Sequence, residues 1–375
     1  MFEKTKAICD SFLEMDVPGF DFLVYKNGKE YFRYMGGFSD REAGIPINGT
    51  ERYYIYSCTK PITVTAAMQL WEQGKFQLDD KLWDYLPAFR EMTVQTPDGI
   101  VKAENPILIR HLFTMTAGFH YNYRSPNILA QRAITPNPST RQAMQWLALD
   151  PLLFEPGDQY RYSLAHDVLG ALIEVWSGQS FDSYVKEHIF DPLGMADSTL
   201  NLKESEKSTM AALYTFDKTK MCALRAPDVQ DRFGKYFISG GGGCVTTLND
   251  YVKFAEGLRV GEALLKRSTL EMMTTNQLTP HQRRTYSLKT VGYGLGMWTP
   301  IPGQLRQDYG WGGAAGALLA VDESRGLSIV YAQHLLNAPN QGLRGQMVRT
   351  FLAELEGLDY SVPDPVDPQK YNLTY

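Results

Sequence analysis

The most constraining feature of the sequence is a Ser-x-x-Lys pattern, Ser57 to Lys60, at the start of an apolar stretch that ends at Gly74. This stretch predicts a helix. Ser57 would lie near the helix N-terminus, where free N–H groups favour negative charge, and Lys60 would lie on the same face one turn later. A serine needs a nearby base to become a nucleophile, and a buried lysine loses its proton readily. The pattern therefore predicts an acyl-transfer site, although a capping serine and a solvated lysine would have the same spacing.

Composition and charge exclude several classes of protein. The chain has 375 residues, of which 44% are hydrophobic and 21% are charged, and these values are typical of one large or two ordinary globular domains. A net charge of -5 gives no reason to expect a nucleic acid or an anionic membrane as partner. The sequence contains no run near the ~18 apolar residues of a membrane span and no recognisable signal peptide. We therefore expect a cytoplasmic protein.

Neither a metal nor a cofactor is expected from the sequence. The four cysteines form no Cys-x-x-Cys pair, and the six histidines are dispersed. Cys58 adjoins Ser57 and could itself be a nucleophile, but neighbouring helical residues point in different directions, so packing is the preferred interpretation. The glycine run from Ser239 to Cys244 lacks the residues of a phosphate-binding loop. We interpret this run as a place where the backbone approaches a site closely.

The order of predicted elements indicates an α+β fold. A helix at 2–15 precedes two strands around the Asn27-Gly28 turn, helices dominate the middle of the chain, and β-like runs return before a closing helix at 342–355. A mostly antiparallel sheet flanked by the N- and C-terminal helices would form one domain, and a helical lobe would form the other. We predict a discontinuous sheet domain, a helical domain, a site between them and a loop or lid bordering that site. Their bounds are 1–79 with 236–375, 80–235 for the lobe and 119–138 for the loop; the late β-like runs are 293–299, 304–310, 317–322 and 328–334.

Seven segments in this order resemble the serine β-lactamase-like superfamily, which includes class C β-lactamases, DD-peptidases and related esterases. The resemblance spans most of the chain. The segments are Ser57-Cys58-Thr59-Lys60, Gly74-Lys75-Phe76-Gln77-Leu78-Asp79-Asp80, Ile109-Arg110-His111-Leu112-Phe113-Thr114, Pro156-Gly157 with Tyr162-Ser163 and Leu169-Gly170, Phe190-Asp191-Pro192-Leu193-Gly194-Met195, Ser239-Gly240-Gly241-Gly242 and Trp311-Gly312-Gly313.

The resemblance implies a role for each matched residue. Ser57 would attack a carbonyl and form an acyl-enzyme, while Lys60 and Tyr162 would share the base role as a coupled pair. The backbone N–H groups of Ser57 and Ala314 would hold the oxyanion, and Trp311 would form a pocket wall. Two nearby residues remain alternatives by position: Tyr160 competes with Tyr162 for the phenol, and His166 could touch the site, although a packed or surface histidine is preferred.

Two departures from the family pattern concern specificity. The Tyr-x-Asn motif reads Tyr162-Ser163-Leu164, and a leucine side chain cannot form hydrogen bonds. The Lys-Thr-Gly or His-Thr-Gly motif reads Trp311-Gly312-Gly313, so the cation and hydroxyl that would hold a carboxylate are missing. We therefore predict a serine esterase or amidase acting on small neutral acyl substrates. Two alternatives stay open: β-lactamase or D-amino-acid peptidase activity, and a non-catalytic penicillin-binding or ligand-binding relative.

Overall fold

The structure is a computed structural model, and it describes residues 1–227 and 232–358. Both ranges contain helices and strands, and none of the helices there is long and apolar enough to span a bilayer. The α-helices are α1 Glu3–Glu14, α2 Thr59–Glu72, α3 Ile109–Phe113, α4 Pro126–Ile134, α5 Thr140–Gln145, α6 Ala165–Ser177, α7 Phe181–Val185, α8 Leu248–Val260, α9 Arg267–Met273 and α10 Leu343–Glu356.

The strands form one large sheet and three small ones. The strands are β1 Gly19–Lys26, β2 Lys29–Asp40, β3 Ile45–Pro46, β4 Tyr53–Tyr54, β5 Thr93–Thr96, β6 Gly99–Lys102, β7 Tyr214–Asp217, β8 Cys222–Arg225, β9 Val245–Thr246, β10 Gly292–Tyr293, β11 Trp298–Thr299, β12 Tyr309–Gly312, β13 Leu318–Asp322, β14 Leu327–Ala332 and β15 Leu335–Leu336. The large sheet has the order β10-β11-β12-β13-β14-β1-β2-β3, and its neighbouring pairs are all antiparallel.

Both faces of the central strands are covered by helices. Every residue of β13 and β14 is buried, which requires a layer on each side of the sheet. On one side α1 packs against α10, and the ring of Phe22 from β1 meets that of Phe351 from α10 with centroids 5.8 Å apart. On the other side α8 packs against β1, β13 and β14. The predicted α+β fold, an antiparallel sheet built from both chain ends and flanked by terminal helices, is confirmed.

Helix α2 connects the sheet to the helical part of the protein. It packs against α6, and nearly all of its residues are buried, which explains why its sequence is apolar around the whole circumference rather than on one stripe. Between α2 and α8 lie α3 to α7 together with two hairpins, β5-β6 and β7-β8. The division into residues 1–79 with 236–375 and residues 80–235 stays a prediction, and part of it, residues 228–231 and 359–375, lies outside the described residues.

Several local predictions were wrong. The segment 119–138 was expected to be a loop, but α4 lies within it; Ser125 caps this helix by accepting a hydrogen bond from the Ile128 N–H at 3.2 Å, and Pro126 occupies its first turn. The capping pattern was overlooked because the residues around it are rich in tyrosine and asparagine and show no helical periodicity. The strand expected at 304–310 begins only at Tyr309. The residues just before it belong to no regular element, and Arg306 and Asp308 among them form an ion pair.

Candidate active site

Ser57 lies on a sharp turn between β4 and α2. The residue before it, Tyr56, has a φ of 46°, which lies in the left-handed region that a bulky L-residue rarely adopts. A short 3₁₀ turn over Tyr56–Cys58 then leads directly into α2. Strain of this kind persists where the surrounding structure holds it, and it is common at functional sites. The turn leaves Ser57 partly exposed while its neighbours Tyr56 and Cys58 are buried.

Three of the predicted residues meet at the Ser57 hydroxyl. The Lys60 Nζ donates a hydrogen bond to Ser57 Oγ at 3.3 Å, and the Tyr162 hydroxyl lies 2.7 Å from the same oxygen. The Lys60 Nζ also lies 4.6 Å from the centre of the Tyr162 ring. Lys60 arrives from the first turn of α2, whereas Tyr162 lies three residues before α6. The packing of α2 against α6 therefore brings the hydroxyl, the amine and the phenol together.

Lys60 is completely buried, and its surroundings favour the neutral amine. Burial lowers the pKa of Lys60 below its ordinary value, and the nearby Arg232 cation acts in the same direction, while Tyr121 and Asp167 oppose the shift. A lysine with a lowered pKa can accept a proton at a pH where an exposed lysine could not. The environment of Lys60 is therefore suited to a base rather than to a permanent cation.

The glycine run fixes the orientation of Lys60. The Gly241 carbonyl accepts a hydrogen bond from Lys60 Nζ at 2.5 Å, and the Gly241 N–H donates to Asp167 Oδ1 at 3.0 Å. Asp167 Oδ1 also accepts from the Ser239 hydroxyl at 2.6 Å. A Cβ on Gly241 would come within 2.4 Å of Asp167 Oδ2, so only glycine fits here. The interpretation of this run as a close backbone approach agrees with these contacts.

Tyr121 is a residue of the site that the sequence analysis missed. Its hydroxyl accepts a hydrogen bond from Lys60 Nζ at 3.5 Å, and its ring stacks on that of Tyr162 with centroids 5.1 Å apart and planes at 7°. Tyr121 thus gives Lys60 Nζ a second side-chain hydrogen-bond partner besides Ser57, whereas the Leu164 that replaces the asparagine of the Tyr-x-Asn motif cannot form a hydrogen bond. The tyrosine-rich composition after Phe119 was the available signal, but it was read only as a loop.

Replacing Tyr121 by phenylalanine should shift the pH dependence of hydrolysis. The hydrogen bond from the Lys60 ammonium raises the pKa of Lys60, so its loss lowers that pKa and moves the acid limb of kcat/KM to lower pH. We also expect kcat/KM at the optimum to fall by up to about tenfold. Steady-state kinetics from pH 5 to 10 measure both effects. Tyr31→Phe, which removes the hydroxyl of an exposed tyrosine on β2, is the control, and equal limbs in the two variants would contradict a role of the Tyr121 hydroxyl.

Trp311 lies beside Tyr162 and packs against other aromatic side chains. Its ring stacks on Tyr162 with centroids 5.8 Å apart, and it contacts the rings of Tyr293 and Trp298 at 5.5 and 5.8 Å. Behind it, the Gly313 backbone lies so close to the Ile55 carbonyl that a Cβ on Gly313 would come within 2.3 Å of that oxygen. Trp311 therefore places an apolar ring beside the phenol, and its role as a pocket wall stays a prediction.

Ala314, whose N–H is predicted to hold the oxyanion, lies in a turn just after β12. That strand ends at Gly312. The Gly313 N–H donates to the Ala317 carbonyl at 2.7 Å, and the Gly316 N–H donates to the Gly313 carbonyl at 3.0 Å, which holds this turn rigid. At Gly312 a Cβ would have its nearest neighbour 3.9 Å away, so a side chain could be accommodated there.

Four neighbouring residues are removed from the reacting atoms. Leu164 is completely buried just before α6, and its N–H donates to the His120 carbonyl at 3.2 Å. Tyr160 packs against Tyr286, which leaves Tyr162 as the phenol at Ser57. The remaining two are ionisable: burial lowers the pKa of the fully buried His166 to about 3 and raises the pKa of the Cys58 thiol to about 12, and Cys58 Sγ donates to the Trp311 carbonyl.

Comparison with known proteins identifies the family. The sequence matches the family described as Beta-lactamase over residues 7–349. The chain belongs to this family. It is 28% identical over 357 residues to the esterase EstB of Burkholderia gladioli, with 87% of each chain covered. Among solved structures it is similar to "EstCE1, a hydrolase with promiscuous acyltransferase activity" (TM-score 0.77, 24% identity, 93% and 97% of the two chains covered) and to simvastatin synthase LovD of Aspergillus terreus in a mutant form (TM-score 0.80, 21% identity, 94% and 97% covered).

Membership in the Beta-lactamase family places the chain among serine hydrolases that act on small ester, amide or peptide substrates. The resemblance to the serine β-lactamase-like superfamily is thereby confirmed, as is the fold that it implies. The family alone does not select one substrate class, because esterases and putative carboxypeptidases are both among the relatives. The choice between them depends on the side chains of this site.

Proposed function

We propose that this protein is a serine hydrolase that forms an acyl-enzyme on Ser57, and that its substrates are small esters or amides. The observation that carries the proposal is the convergence of Lys60 Nζ and the Tyr162 hydroxyl on Ser57 Oγ, at 3.3 and 2.7 Å. A nucleophile and its base within hydrogen-bond distance are the geometric requirement for this chemistry. The match to the Beta-lactamase family supports the broader assignment of the chain to the serine hydrolases.

The proposed reaction has two halves. Ser57 Oγ attacks the carbonyl carbon while its proton passes to the Lys60–Tyr162 pair, and the carbonyl oxygen becomes an oxyanion held by the N–H groups of Ser57 and Ala314. The C–O or C–N bond to the leaving group then breaks as the pair returns the proton to that group. In the second half, water gives one proton to the pair and attacks the acyl carbon. The bond from that carbon to Ser57 Oγ then breaks as the pair returns the proton to Ser57, and the acid is released. Because Lys60 and Tyr162 exchange one proton between them, they titrate as a unit.

The substrate preference is proposed from the Trp311 wall. In place of a lysine or histidine that would bind a carboxylate, this wall consists of the stacked rings of Trp311 and Tyr162. An apolar wall favours a part of the substrate that is neutral where it lies against these rings. Esters and amides without a carboxylate at this position are therefore preferred over β-lactams and D-alanyl peptides. The relative EstB, an esterase by name, is consistent with this choice.

The test is covalent labelling followed by a substrate panel. A fluorophosphonate should add one adduct mass to the intact protein, and peptide mapping should place the adduct on Ser57. p-Nitrophenyl acetate and butyrate should be turned over faster than nitrocefin or a D-alanyl-D-alanine peptide. An unlabelled Ser57 would instead favour a non-catalytic ligand-binding relative, whereas labelling with faster nitrocefin or peptide turnover would favour a β-lactamase or peptidase.

A further inference from the structure

Arg232 places a guanidinium next to the backbone that holds Lys60. Its Nη1 donates a hydrogen bond to Ser239 Oγ at 3.2 Å. A Cβ on Gly242 would come within 3.0 Å of both Nη1 and Nη2, so the guanidinium lies directly over this glycine. The residue before it, Gly241, provides the carbonyl that accepts from Lys60. The guanidinium of Arg232 therefore lies over the residue that follows Gly241, and Gly241 is the residue whose carbonyl orients Lys60, the proposed base.

A continuous aromatic surface joins Arg232 to Ser57. The guanidinium carbon lies 5.3 Å from the centre of the Tyr123 ring, an arrangement in which the ring face attracts the cation. Tyr123 meets Tyr121 with ring centroids 5.4 Å apart, and Tyr121 stacks on Tyr162, whose hydroxyl reaches Ser57. A substrate bound at Ser57 can therefore lie along these rings and present its distal end to Arg232.

The guanidinium retains hydrogen-bonding capacity for a ligand. An arginine has five N–H donors in a planar fork, and among the described residues Ser239 Oγ is the acceptor that Arg232 uses. No carboxylate in the described ranges forms an ion pair with it; Asp167 is reached only through the Ser239 hydroxyl. The side chain is partly buried, where a charge without a direct partner is unfavourable. An anion that accepts hydrogen bonds from the N–H groups that do not bond to Ser239 would satisfy the guanidinium.

We propose that Arg232 binds an anionic group of the substrate, a carboxylate, at the end of the Tyr162–Tyr121–Tyr123 surface. This inference rests on the proposed acyl-enzyme function and deepens it. The Trp311 wall has no cation, but Arg232 provides one on the opposite side of the site. The carboxylate of a bound substrate would therefore lie at a different position from a carboxylate held by a Lys-Thr-Gly motif. The preferred substrates are then esters or amides that are neutral at Trp311 and carry an acid group elsewhere.

The test compares anionic and neutral substrates in three proteins: the wild type, Arg232→Gln and the control Lys235→Gln, which removes an exposed charge three residues away. One arm puts the carboxylate on the acyl part, with p-nitrophenyl monoesters of glutaric and adipic acid against p-nitrophenyl valerate and hexanoate. The other arm puts it on the leaving group, with 4-acetoxybenzoate against phenyl acetate. Intrinsic reactivity cancels because each anionic-to-neutral ratio of kcat/KM is compared between proteins.

We expect Arg232→Gln to lower this ratio by about tenfold or more in one arm, which then identifies the part of the substrate that reaches Arg232. Lys235→Gln should leave both ratios as in the wild type. Arg232→Lys should restore part of the loss, since it keeps the charge but not the fork. Ratios that do not change in either arm would overturn the proposal, while turnover of neutral esters by the wild type would leave the proposed function intact.

A second measurement applies if Arg232→Gln does not fold. Glutarate and adipate should slow fluorophosphonate labelling of the wild type, and valeramide and hexanamide at the same concentration should not. Sodium chloride at matched ionic strength controls for screening. Labelling that is equally fast with and without the dicarboxylates would refute an anion subsite at Arg232, whereas an absence of labelling in every sample would point to failure of the acyl-enzyme proposal instead.

Discussion

Replacing Ser57 by alanine is expected to reduce kcat/KM for p-nitrophenyl esters by at least about a thousandfold. The substitution removes the hydroxyl oxygen that both Lys60 Nζ and the Tyr162 hydroxyl approach, so neither the attack nor the acyl-enzyme can form. Residual hydrolysis would come from binding and from the oxyanion donors alone. Steady-state kinetics measure the loss, and intact mass spectrometry after fluorophosphonate treatment should show no adduct.

Cys58→Ala is the control for Ser57→Ala. Cys58 adjoins the nucleophile, but burial raises the pKa of its thiol to about 12, and Sγ donates to the Trp311 carbonyl rather than facing the site. We expect this variant to keep most of its activity and its adduct. Thermal unfolding should show one cooperative transition in both variants. Loss of the adduct in Cys58→Ala together with its retention in Ser57→Ala would reverse the assignment of the nucleophile.

The contact between Ser57 and Lys60 was predictable because the two residues are close in sequence. Ser57 and Lys60 are three residues apart at the start of a helix, and that spacing alone places them on one face. Tyr162 is far away in sequence, and its position rested on the resemblance rather than on any periodic pattern. The structure adds the physical reason for it, since α2 packs against α6 and carries Lys60 to the residues that precede α6.

The residues that sequence reasoning missed enter the site from irregular segments. Tyr121 lies in the stretch before α4, and Arg232 lies in the stretch before the glycine run, where neither helical nor strand periodicity indicates which side chains point inward. The role of Asp167 was equally hidden. Asp167 lies on a helix that the sequence predicts well. Its partners, however, are the Gly241 N–H and the Ser239 hydroxyl, and a contact between residues so far apart in sequence has no local sequence pattern.

Together these contacts give the two sides of the site different chemistry. On one side the rings of Trp311, Tyr293 and Trp298 pack against Tyr162, and this side is apolar. On the other side the glycine run contacts Lys60 through the Gly241 carbonyl and Arg232 through Ser239 Oγ, and the Ser239 hydroxyl also donates to Asp167. The site therefore keeps a cation, Arg232, although it has none at Trp311. The proposed selectivity depends on the position of this cation in the site.

Replacing Lys60 by methionine is expected to lower kcat/KM by about 10²- to 10⁴-fold, the usual contribution of a general base. Methionine has a similar length and no ionisable group, so the loss reports the amine rather than a cavity. In the wild type, kcat/KM should rise with pH as the Lys60–Tyr162 pair loses one proton. Because burial lowers the pKa of Lys60 from its ordinary 10.5, this rise should end below pH 10.5.

The pH profile distinguishes a lost base from a damaged fold. In Lys60→Met the pair no longer holds the amine, so the acid limb that belongs to it should disappear from the residual activity. Damage to packing would instead lower the whole profile without changing its shape. Lys75→Met, which removes an exposed charge just beyond the end of α2, should retain both the rate and the limb. An unchanged limb in Lys60→Met would show that the ionisation belongs to another group, and the base role would then pass to Tyr162 alone.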